Sequence, residues 1–115
     1  MKTRLNAYRI MWLFVYFDLP TQTKQDKKAY AQFRKELLFD GFMMIQYSIY
    51  ARHCASRENL EVHKKRVKSV IPEKGNVILF EITDKQFGMM EFYTGKTKPK
   101  KTPDQRVIQL ELELF

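Results

Sequence analysis

Asp18 closes the apolar run Ile10-Met11-Trp12-Leu13-Phe14-Val15-Tyr16-Phe17 and is followed by Leu19-Pro20. A carboxylate at a strand end beside a loop stands where functional groups are commonly presented. An acidic residue this close to a proline also starts turns, so on the residues alone both readings stand. The chemistry on offer is oxygen ligation of a hard cation such as Mg2+, and one carboxylate is too few for a tight site. A symmetric dimer with its axis between two copies of Asp18 would supply the second.

The other chemistry-bearing side chains are less suggestive. His63 falls on the apolar stripe of a helical segment and reads as a structural histidine. His53 and Cys54 are adjacent, with no second ligand pair at zinc spacing. The sequence contains no phosphate-binding glycine loop, dinucleotide fingerprint or nucleophile elbow, which argues against nucleotide-driven and acyl-transfer chemistry.

Lysines are the stronger signal. Lys24, Lys27 and Lys28 cluster near the start of the first helical segment, and Lys96, Lys98, Lys100 and Lys101 lie in a basic arm. Lysine is a point contact for phosphate and favours backbone over base recognition. A run of charge is also an ordinary solvated face, but the whole chain carries 21 Lys and Arg against 13 Asp and Glu, a formal net charge of +8. A field of that sign attracts polyanions, and each neutralised phosphate releases a counterion. The arm has no interleaved aromatics on which single-stranded bases would stack, so duplex is the favoured partner.

Composition bounds the rest. At 115 residues, with 44% apolar residues, the chain fits one folded domain. Its longest apolar run is far short of the roughly 20 residues of a membrane span. The basic N-terminus leads into Asp18-Leu19-Pro20 rather than a small-residue cleavage site, and a single cysteine excludes an intrachain disulfide. Both fit a cytoplasmic protein.

The elements that must position these residues follow from periodicity. The run at 10–17 is apolar on both alternating faces, as in a central strand covered by helices on one side and by helices or a partner subunit on the other. Thr23 with Asp26 three residues later starts a helix through Asp40, whose stripe is Tyr30, Phe33 and Leu37 and whose stop is Gly41. Residues 42–52 are rich in strand formers and read as one bent strand or two meeting at Tyr47-Ser48. Ser56 caps a second helix through about Val70, with Leu60, Val67, Val70 and Ile71 inward, and Pro72 ends it. A strand at Val77–Thr83 follows, then a turn at 84–88 and a further strand at Met89–Tyr93. The expectation is an α+β two-layer sandwich with an antiparallel sheet and two helices over residues 1–93, a basic linker at 94–106, and a terminal strand at 107–115. That strand alternates Ile108, Leu110, Leu112 and Leu114 against Gln109, Glu111 and Glu113. It closes its own sheet or adds to another subunit's.

Three segments carry a resemblance: Phe17-Asp18-Leu19-Pro20 closing its strand, Ile45-Gln46-Tyr47-Ser48-Ile49-Tyr50, and Gly75-Asn76-Val77-Ile78-Leu79-Phe80, with Thr83-Asp84-Lys85-Gln86-Phe87 beyond. The chain resembles, nearly end to end, the small CRISPR-associated endonuclease-like family that joins the CRISPR integrase in spacer acquisition. It is most similar to variants from systems with a single large effector nuclease. The resemblance implies a ferredoxin-like fold and a homodimer whose last strand packs on the partner. It further implies a scaffold bridging integrase dimers on double-stranded DNA, and Asp18 as a metal ligand paired across the dimer axis. It also implies magnesium-dependent cleavage of RNA or duplex DNA as the alternative activity. Phe17 stands where many relatives have Tyr, and Met44 where some nuclease-active ones have Arg, which bears on cleavage and not on the scaffold. A toxin-like ribonuclease or translational regulator of similar fold is the third reading, separated from the others by its lack of an integrase-binding C-terminus.

Overall fold

The structure, a computed structural model, describes residues 8–95. The chain runs β1 (Met11–Asp18), α1 (Lys24–Phe39), β2 (Met43–Gln46), β3 (Ile49–Cys54), α2 (Arg57–Ser69), β4 (Asn76–Thr83) and a short α3 (Asp84–Gly88). The strands form one antiparallel sheet in the order β2-β3-β1-β4. With α1 and α2 on one face, this is the ferredoxin-like arrangement.

β1 is central, as its doubly apolar pattern requires. Its odd positions, Met11, Leu13, Val15 and Phe17, enter the main core with Phe33 and Leu37 of α1 and Leu60 and Val67 of α2. Its even positions face the other way: Trp12 and Phe14 join Ala51 and Phe87 in a second cluster, while Tyr16 and Asp18 are exposed. Both long helices begin where their caps predict. The Thr23 hydroxyl accepts from the Asp26 N–H at 3.0 Å while the Asp26 carboxylate accepts from the Thr23 N–H at 3.2 Å, and the Ser56 hydroxyl accepts from the Asn59 N–H. Residues 42–52 resolve into two strands. Their turn at Tyr47-Ser48 places Ser48 at φ 65, and the Ser48 carbonyl accepts from the Phe17 N–H at 3.0 Å.

His63 is buried. Its Nδ1 lies 2.8 Å from the Asp40 carboxylate, which also takes Arg66 at 2.8 Å. Arg52 Nε donates to the Asp40 carbonyl at 2.7 Å, so the end of α1 is tied to both α2 and β3.

Three expectations need correction. The turn at 84–88 is the helix α3, because Thr83 and Gln86 form a capping box and Phe87 buries against Trp12 at a ring separation of 3.9 Å. Met89–Tyr93 is not a strand. Met89 follows the C-terminal end of α3 with its N–H bonded back to Gln86, and the segment has no place in the sheet ladder. Ile71 is exposed rather than inward, since α2 ends at Ser69 and the chain turns away at Val70. Most of the 94–106 linker and all of the 107–115 strand lie outside the described residues.

Candidate functional site

Asp18 is the last residue of β1, opposite Asn76, the first of β4. Directly opposed residues of an antiparallel pair share a face, with Cβ atoms about 5 Å apart. Both side chains therefore rise on the face of the sheet away from α1 and α2, and both residues are exposed.

The ground beneath them is fixed from two sides. On one, the Ser48 carbonyl holds the backbone of β1 at Phe17. On the other, Gly75, at φ 98, packs so tightly on the β1 end that a Cβ there would sit 2.8 Å from the Asp18 carbonyl oxygen and 2.7 Å from Leu19 Cδ2. Only glycine fits both that dihedral and that contact.

Several other carboxylates are already occupied. Asp26 is held below its ordinary value of 3.8, first by the backbone hydrogen bond from Thr23 that caps α1. Glu81 is lowered by the Arg57 guanidinium, which donates at 2.7 Å. Asp84 accepts the indole N–H of Trp12 at 2.8 Å. By contrast, no hydrogen bond or ion pair engages the Asp18 side chain among the described residues. The described residues contain no group of three or more His, Cys, Asp and Glu able to hold a metal. Burial pushes the Cys54 thiol up from its ordinary value, which suits an inert core cysteine.

Beyond Asp18, the same sheet face is apolar and open. Tyr16 pairs with Ile78 and Phe14 with Phe80, and Tyr16, Ile78 and Phe80 are 46%, 57% and 40% exposed. These three were not singled out as interface residues. The alternation of Val77–Thr83 held the signal, since it places Ile78 and Phe80 on the face shared with Tyr16.

The lysines divide differently. Lys24, Lys27 and Lys28 are exposed on the first turns of α1, at the Asp18 end of the molecule but in the helical layer, while the Asp18 side chain rises from the opposite face. Lys65, Arg66 and Lys68 on α2 extend the positive surface of that layer. Lys96, Lys98, Lys100 and Lys101 lie outside the described residues. No helix among the described residues is long and apolar enough to cross a membrane.

Comparison with known proteins agrees with this architecture. Residues 11–90 match the family model described as CRISPR associated protein Cas2. The chain is 57% identical over 110 residues to the CRISPR-associated endoribonuclease Cas2 of Flavobacterium psychrophilum, covering 96% of this chain and 94% of that one. It is 53% identical over 100 residues to the protein of the same name from Parvibaculum lavamentivorans, covering 87% and 99%. Among solved structures, one titled "Crystal structure of cas2" superposes with a TM-score of 0.53 at 17% identity, over 80% of this chain and 92% of that one, a likeness of fold.

Proposed function

The chain belongs to the CRISPR-associated Cas2 family, and on that premise we propose that it works as a homodimeric scaffold in spacer acquisition, holding duplex DNA by its phosphates and bridging integrase dimers. The observation that carries the reading is the uncovered apolar half of the sheet, Tyr16, Ile78 and Phe80, beside Asp18. A second copy laid on that half would remove it from water, and a twofold axis there would bring two copies of Asp18 together. β4 is one of the two outer strands of the sheet formed by the described residues, with an edge to which residues 107–115 of the second copy would add.

The duplex would lie on the positive helical layer, contacted by Lys24, Lys27, Lys28, Lys65, Arg66 and Lys68, with Lys96, Lys98, Lys100 and Lys101 adding further charge. Gel filtration of the protein with its cognate integrase and a short duplex is the test: the three should co-elute, and separate elution would sink the scaffold reading. Binding should also weaken steeply with salt, whatever the DNA sequence.

Magnesium-dependent cleavage of RNA or duplex DNA is the second reading, favoured by the unengaged carboxylate of Asp18 and by the relatives' name, endoribonuclease. The donors fit the ion: two carboxylates from two chains are hard oxygen ligands of the kind Mg2+ prefers, with substrate phosphate and water completing the set. Mg2+ bound there would supply an activated water and charge neutralisation at the phosphate. The chain's own part is to fix the backbone that carries Asp18 at the face, through the Ser48 carbonyl bonded at Phe17 and the Gly75 contact with the Asp18 carbonyl. Asp18→Asn should lose metal-dependent cleavage of both substrates, and undiminished cleavage would assign the activity elsewhere.

A further inference from the structure

Asp18 is not alone on its face. Its register partner across the sheet is Asn76, an exposed amide whose side chain rises from the same face. The next pair along, Tyr16 and Ile78, is apolar, so this pair is the polar rim of the open apolar patch.

The backbone makes the juxtaposition rigid. Gly75, immediately before Asn76, is pressed against the Asp18 carbonyl and Leu19, and β4 begins in register at once. With Cβ atoms about 5 Å apart, two short side chains ending in oxygen can close on one cation at ordinary ligand distances. An amide carbonyl is a neutral, hard oxygen donor of the kind that accompanies carboxylates around divalent cations.

We propose that Asn76 is the second oxygen donor each chain brings to the Asp18 site, so that a dimer offers a divalent cation two carboxylates and two amides. This rests on the reading of Asp18 as half of a two-chain metal site. It resolves the poverty of that site, because a twofold axis doubles a pair of ligands rather than a single one. It also gives a neutral amide a purpose that a charged neighbour would serve worse: a third and fourth carboxylate crowded on the axis would repel each other whenever the cation was absent.

The test is calorimetric titration of the full-length dimer with Mn2+, comparing wild type with Asn76→Ala, Asn76→Asp and Asp18→Asn, with dimer mass and thermal unfolding measured alongside. Loss of one supporting ligand per chain should weaken Mn2+ binding about 10-fold in Asn76→Ala, a typical effect of removing a group that supports a metal site. Dimer mass and melting temperature should stay at the wild-type values, and Asn76→Asp should bind more tightly than wild type. If Asn76→Ala binds as wild type does while Asp18→Asn does not bind, Asn76 is no ligand and the proposal is overturned with the Asp18 reading intact. Wild type that takes up no Mn2+ overturns both. Should Asn76→Ala fail to dimerise, Asn76→Asp decides: affinity no greater than wild type counts against the proposal.

Discussion

The face of the sheet turned away from the two long helices has two halves, and they are finished differently. At the Met11 end, α3 folds back over Trp12 and Phe14: Phe87 stacks on the indole, the indole N–H is capped by Asp84, and the Asp84 N–H is held by the Ile10 carbonyl at 2.9 Å. At the Asp18 end, Tyr16, Ile78 and Phe80 stay exposed beside a carboxylate that no described residue engages. One half is closed by the chain itself, and no buried side-chain polar atom among the described residues lacks a partner. The other is apolar and is left uncovered by the described residues. A strand that is apolar on both faces thus differs along its length: the buried stretch anchors β1, and the open stretch is left uncovered by the described residues.

Three measurements would break or sharpen that contrast. The largest effect belongs to the closed half. Phe87→Ala removes the ring stacked on Trp12 and should cost about 3–5 kcal/mol of stability in urea unfolding; a loss under about 1 kcal/mol would mean that α3 is an ornament rather than a cover. Next comes the open half, where Ile78→Asp should leave urea stability within about 0.5 kcal/mol of wild type, as for an ordinary surface change. The same variant should weaken self-association tenfold or more, about 1.4 kcal/mol, by analytical ultracentrifugation. A destabilised variant whose self-association is unaltered would erase the distinction between the halves.

The smallest effect lies at the start of α1, where Asp26 completes the capping box with Thr23. The Asp26 pKa is lower in the folded protein, so its ionised form favours folding at neutral pH, and that contribution fades as pH falls through the folded-state value, below the ordinary 3.8. Asp26→Asn should therefore be less stable than wild type at pH 7, with the gap closing in acid well below 3.8. A gap that persists there would show the loss to be steric rather than electrostatic.

Much of this was legible from local pattern. β1's centrality follows from its doubly apolar run, both long helices start at the caps that Thr23 and Ser56 announce, and Gly41, at φ 89, ends α1 as expected. These are short-range effects, decided within a few residues by hydrogen bonding to the backbone and by alternation. The misreadings were long-range. Asp84-Lys85-Gln86-Phe87 reads as a turn until Trp12, 72 residues from Asp84, offers an indole to its carboxylate and a ring to its neighbour. Met89–Tyr93 reads as a strand until α3 has already turned the chain off the sheet.

The sequence by itself determined the α+β architecture, the basic surface and the candidacy of Asp18, because periodicity, charge and strand ends are written in neighbouring residues. Only the tertiary structure decided what stands across from Asp18 and which apolar residues are left uncovered. Strand register is fixed by the packing of the whole sheet against its helices, and a slip of one residue would have turned Asn76, Ile78 and Phe80 to the other face.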